Sequence, residues 1–144
     1  METETMGRVV TQATIENLED LYAVKNGLIS AEQVRRISIA DALVDTGATM
    51  LSLPTSVIRQ LGLSQVSAKR VITSAGPANA GVYEAVRLTI QGRDCPVSVL
   101  EVPDGVPPLI GQIPLEYLDF VVDPGSRKLI GNPAHGGEHI IEMF

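Results

Sequence analysis

A mainly β, single-domain fold with one or two short helices is what this sequence predicts, and three observations predict it. Apolar residues make up 44% of the chain, yet aromatics are only 3% and tryptophan is absent, so the core must be built from Val, Ile, Leu and Ala. Many of these are β-branched, which favours strands. The apolar runs are short and are punctuated by 13 glycines and 9 prolines, as strands separated by turns are. The length, 144 residues, is that of one domain, and no repeat, linker or low-complexity tract divides it.

The elements follow in order. Gly7 to Asn17 mixes β-branched and polar residues with partial alternation, the pattern of a half-buried strand. Leu18 to Gly27 has near-helical apolar spacing and ends in Asn26-Gly27, so it reads as a short helix or a loop. Val34 to Val44 alternates and then becomes continuously apolar, a strand passing from an edge into the core and delivering Asp45 to the interior. Met50 to Leu53 is another short strand. Pro54 then opens a helix, Thr55 to Leu61, stopped by Gly62. Lys69 to Thr73 and Val82 to Ile90 are strands flanking Ser74 to Gly81, whose composition is that of a hairpin tip. Gln91-Gly92-Arg93 is a tight turn, and Cys95 to Val102 returns as the partner strand. A proline-rich loop, Pro103 to Pro108, leads into Leu109-Ile110-Gly111, then a helix from Gln112 to Leu118 and a hairpin from Phe120 to Ile130 turning at Pro124-Gly125. The tail, Glu138 to Phe144, reads as a last strand.

Charge and composition exclude several functions. Eleven basic against seventeen acidic residues give a formal charge of −6, which repels phosphate backbones and anionic lipid, so neither nucleic acid nor a membrane is an expected partner. Nothing approaches the ~20 apolar residues that span a bilayer. The first twenty residues do not resemble a signal peptide, and the lone Cys95 makes no intramolecular disulfide and reads as a small buried apolar residue, so the expected location is cytoplasmic. His135 and His139 lie among paired glycines that do not suit a metal-presenting helix, so they read as a flexible tail and no metal is expected. Glu16, Glu19 and Asp20 form an acidic cluster that reads as a solvated face.

The chemistry centres on Asp45-Thr46-Gly47. A triplet like this arises by chance roughly a few times in a hundred chains of such length, and its aspartate has an alternative reading as a turn cap. Its setting weighs more, because a carboxylate at the end of an apolar strand is a costly place for a charge unless it is used. The segment Ala42-Leu-Val-Asp45-Thr46-Gly47-Ala48-Thr49, the glycine-bracketed hairpin before Val82-Tyr83, the strand pair across Gln91-Gly92-Arg93, and Leu109-Ile110-Gly111 before a helix occur together in this order. In that, the chain resembles the retropepsin family of aspartic proteases, specifically its small single-domain bacterial members, over about Ile37 to Asp123.

The resemblance implies a closed β fold in which two Asp-Thr-Gly loops meet. This chain has one, so the second must come from a second copy, and a homodimer with the site on its two-fold axis is expected. Asp45 would be the catalytic residue. One Asp45 carboxyl would be ionised and activate water, while the other stays protonated, because like charges so close cannot both ionise cheaply. Thr46 would hydrogen-bond across the interface, Gly47 would let backbone approach the carboxylates, and no cofactor is required. Ala48 offers the aspartates no hydroxyl, so a less acidic optimum is expected than for pepsin, whose dyad titrates at about 1.5 and 4.7.

The same resemblance makes the hairpin around Ala75, Gly76, Pro77, Ala78, Asn79, Ala80 and Gly81 a flap over substrate, with Tyr83 near its base, although a proline at its tip departs from the retroviral pattern. Leu109, Ile110 and Gly111 would back the catalytic loop and help wall a pocket for a peptide or protein substrate. Gln112 stands where many retroviral enzymes have arginine, so that arginine's dimer contact is not expected here. Two functions follow: an aspartic endopeptidase, or a catalytically silent dimeric peptide-binding or assembly module on the same fold.

Overall fold

The computed structural model describes residues 8–143. Nine strands and three short α-helices account for most of it: β1 (Val9–Asn17), α1 (Leu18–Lys25), β2 (Arg36–Val44), β3 (Leu51–Pro54), α2 (Thr55–Leu61), β4 (Gln65–Thr73), β5 (Gly76–Ile90), β6 (Arg93–Val102), β7 (Leu109–Ile110), α3 (Gln112–Tyr117), β8 (Phe120–Asp123) and β9 (Lys128–Gly131). Seven strands form one mixed sheet in the order β1-β2-β7-β3-β6-β5-β4, and β8-β9 form a separate hairpin. β1 pairs antiparallel with β2 and also with β5, so the path from β1 through β2, β7, β3 and β6 to β5 returns on itself. The expected mainly β, closed architecture is what the chain adopts.

The core lies inside that closed path. Ile15, Leu51, Leu53, Leu61, Val86, Leu88, Val99, Ile110 and Leu118 are each fully buried there, and Cys95 joins them. Burial pushes the Cys95 thiol up to about 11, as expected of a cysteine used as a small apolar residue.

Polar groups close the ring. Glu16 on β1 stands opposite Arg36 on β2 and opposite Arg87 on β5, and its two oxygens take one guanidinium each, at 3.0 and 2.8 Å. Asn17 caps α1 by accepting the Asp20 amide, and its side-chain NH2 donates to Leu61 O at 2.7 Å, tying β1 to the end of α2. Asp20 in turn accepts the Arg35 amide and guanidinium. Of the acidic cluster only Glu19 is exposed; Glu16 and Asp20 are buried anchors, not a solvated face. Charges this buried require partners, and the partners are arginines that lie 15 to 71 residues away in sequence.

Three other expectations are corrected. The β4–β5 hairpin turns at Ser74-Ala75, and Gly76 to Gly81 is strand, paired from Thr73↔Gly76 to Ala68↔Gly81. Pro77 is tolerated because, among the described residues, this stretch of β5 pairs only with β4, so one backbone edge is open there and a missing N–H costs no ladder bond. The tail does not form a strand over 138–143; Phe144, like residues 1–7, lies outside the described residues. Nor is the histidine segment loose. A 3-10 turn at Pro133–His135 places the His135 ring between Asp119 at 2.6 Å and Glu142 at 2.9 Å, and Asp119 also accepts the Ile140 amide. Arg93 stacks its guanidinium over Phe120 and donates to Leu118 O, Asp119 O and Gly137 O, binding this C-terminal unit to the sheet.

Candidate active site

Asp45 is set by the strand before it. β2 runs parallel to β7 with Val44 opposite Ile110, and the Asp45 amide donates to Ile110 O at 3.0 Å, extending the pairing by one residue. The chain then turns: the Ala48 amide donates to Asp45 O, and the Gly47 amide donates to Asp45 Oδ1 at 2.9 Å. The turn-cap reading of Asp45 is therefore correct for one carboxylate oxygen. Oδ2 has no hydrogen-bond partner among the described residues.

The loop 45–50 is held from behind by the start of α3. Gln112 N donates to Ala48 O at 2.8 Å, Ile113 N to Thr49 O at 3.0 Å, and Gly111 N to Met50 O at 3.0 Å. These are amides that a helix start leaves unpaired, here satisfied by carbonyls of the loop. Such close approach leaves no space at Gly111, where a Cβ would sit 2.6 Å from both Met50 O and Thr49 C. A Cβ at Gly47 would sit 3.2 Å from Asp45 Oδ1, a tighter fit than most side chains meet. Gly111 is thus required by backbone approach, and Gly47 by the nearness of the Asp45 carboxylate; neither is required by unusual φ.

Asp45 opens onto a groove of about 770 Å³. One wall is the β4–β5 hairpin, through Val71 to Ser74 and Ala78 to Ala80. The other is the end of β6 and the following loop, through Leu100 to Pro103, with Val106 and Leu109. Of the residues predicted from sequence, Ala78, Asn79, Ala80 and Leu109 share this groove with Asp45. Ala75, Gly76, Pro77 and Gly81 do not line it. Ile110 is fully buried in the core and Gly111 braces the loop. Thr46 is exposed, and Ala48 lines an adjoining cavity of about 430 Å³ with Lys69 and Arg70. Tyr83 sits at the hairpin's base, opposite Gln65 and Val99, and its hydroxyl donates to Glu101 Oε1 at 3.1 Å. Burial, helped by that carboxylate, pushes its phenol up.

Sequence reading missed the β4 and β6 walls, Val71, Ile72 and Leu100 to Val102. A signal existed for β6: Glu101 ends a strand whose alternate residues, Cys95, Val97 and Val99, face inward.

A closed mixed sheet that delivers an aspartate to a groove beneath a β-hairpin defines a retropepsin-like domain. The aspartyl protease family matches residues 33–113, more than half of the chain, and the chain belongs to that family. The matched span contains the Asp45 loop, the hairpin and Leu109-Ile110-Gly111; residues 114–123, within the expected resemblance, lie beyond it. No curated protein matches the chain. Among the described residues no group of three or more His, Cys, Asp or Glu side chains is arranged to hold a metal ion, and no helix is long and apolar enough to cross a membrane.

Proposed function

We propose that this protein is a homodimeric aspartic endopeptidase in which Asp45 of each copy supplies half of the catalytic pair. The observation that carries the reading is a strand-delivered aspartate, one carboxylate oxygen of which has no partner among the described residues, facing a groove large enough for several residues of extended peptide. Family membership supports aspartic peptidase chemistry, and the single Asp-Thr-Gly motif in this sequence favours a second acid supplied by another copy.

In the dimer, the ionised Asp45 takes a proton from a bound water, which attacks the peptide carbonyl. The protonated Asp45 donates to the carbonyl oxygen and then helps protonate the leaving nitrogen. The β4–β5 hairpin acts as the flap, closing over the peptide and excluding water. Its edge, free of β-pairing at Gly76 to Gly81, offers backbone groups to an extended substrate. Val71, Ile72, Leu100, Val106 and Leu109 make the groove apolar, favouring apolar side chains beside the scissile bond. Exposed Ile72 on the flap, 84% accessible, and Ile113 and Tyr117 on α3 favour a second copy as the cover.

Incubating the protein with a peptide library tests this directly. Wild type should cleave and Asp45→Asn, which keeps the side chain's size and its turn cap, should not. Loss of cleavage in neither protein would point to a contaminant, and cleavage by neither would favour a silent peptide-binding module.

A further inference from the structure

Glu101 is a carboxylate with unusual company. Strand alternation puts it on the face of β6 that carries Cys95, Val97 and Val99, a register position that packs apolar side chains elsewhere along the strand. Its oxygens accept from two neutral hydroxyls, Tyr83 at 3.1 Å and Thr55 at 2.7 Å, and no Lys, Arg or His pairs with it among the described residues. A carboxylate has about four acceptor positions, so roughly half remain for a ligand. Gly81 keeps the approach open, since a Cβ there would sit 3.1 Å from Glu101 Oε1. Glu101 lines both the Asp45 groove and a second cavity of about 310 Å³ that continues it past Thr55 and Gly81.

We propose that Glu101 is a specificity-determining residue, selecting a lysine or arginine side chain of an extended peptide bound over Asp45. Resting on the peptidase reading above, this names its substrate class: peptides with apolar residues at the scissile bond and a basic residue to one side. A partly buried acid without an ion-pair partner is completed by one, and the two neutral hydroxyls hold its oxygens in place without supplying a positive charge. The two-fold axis of a dimer would give each arm of the groove its own Glu101. β2 and β6 are three strand spacings apart, roughly 14 Å at about 4.8 Å each, so at about 3.3 Å per extended residue the basic residue lies at most about four residues from the cleaved bond.

The test uses peptides that carry lysine or its neutral isostere norleucine at successive positions, with wild type, Glu101→Gln and Asp45→Asn proteins. Gln fits the same space, can accept from Tyr83 and can donate to Thr55. The expected result is a kcat/KM ratio of lysine to norleucine of about tenfold or more at one position for wild type, the scale of one charge-assisted hydrogen bond, falling to about one in Glu101→Gln. Cleavage with no such preference, or a preference that survives in Glu101→Gln, overturns the role of Glu101 and leaves the peptidase reading intact. Binding to Asp45→Asn separates the two further. If wild type cleaves nothing, yet lysine peptides bind Asp45→Asn about tenfold tighter than norleucine peptides and Asp45→Asn/Glu101→Gln loses the difference, Glu101 recognises the base and peptidase activity is refuted. Neither cleavage nor selective binding refutes both.

Discussion

Gly111 holds the geometry of the Asp45 loop. Its amide and those of the next two residues support the carbonyls of Ala48, Thr49 and Met50, and the backbones approach so closely that no side chain fits between them. Gly111→Ala must therefore push backbone against backbone, which cannot relax as a flexible side chain would. We expect a loss of about 2–3 kcal/mol in urea unfolding, at the upper end of overpacking costs, together with displacement of Asp45 and loss of cleavage. Gly47→Ala meets only the Asp45 carboxylate, so its stability loss should be smaller and its effect on activity larger than its effect on folding. Ala48→Thr would offer the Asp45 pair a hydroxyl. The added hydrogen bond favours the ionised form, so the acid limb of the pH-activity profile should move to lower pH.

At the scale of elements, Arg93 ties the C-terminal unit to the sheet, and His135 fastens the tail that follows it. Asp119, and then Glu142, hold the His135 imidazolium above its ordinary value of 6.5, so the contribution of His135 is complete below that pH and is lost as pH rises through the raised value. The hydrogen bond from His135, with those from Ile140 and Asn132, brings Asp119 from its ordinary 3.8 down to about 2, so the contribution of Asp119 is present above 3.8 and lost as pH falls through about 2. The tail is thus held most firmly between roughly pH 4 and 6.5. The Ile140 amide, which donates to Asp119, should exchange more slowly at pH 5 than at pH 9 after correction for intrinsic rates, and His135→Ala should remove most of the protection. Equal protection at both pH values would contradict the fastening.

The elements show what was legible in the sequence. Local signals worked where local chemistry decides: Pro54 before α2, Gly62 in a left-handed conformation after it at φ +67, and Gln91-Gly92, both at positive φ, at the β5–β6 turn. They failed where distant residues decide. Gly76 to Gly81 has the composition of a tip, yet a free strand edge lets proline and glycine pair as strand. Glu16, Asp20 and His135 looked solvated or loose because their partners, Arg87, Arg35 and Asp119, arrive only through folding. The site divides in the same way: Asp45 and its glycines could be read locally, whereas the β4 and β6 walls depend on where β5 folds back.

For the whole molecule, ring closure and dimerisation are the two expectations. Glu16 joins β2 and β5 to β1 through two half-exposed arginines, and Glu16→Ala should cost about 1–3 kcal/mol, less than a fully buried pair because both cations regain water. Urea unfolding checks this, and a change below about 0.5 kcal/mol would make the ring closure independent of Glu16. Dimerisation is the central claim, since it decides whether one aspartate per chain suffices. The most direct measurement mixes wild type with Asp45→Asn at constant total concentration, allows the subunits to exchange, and follows cleavage rate against the wild-type fraction. If two chains share each site, the rate falls as the square of that fraction; a straight line would mean that each chain works alone and would contradict the account.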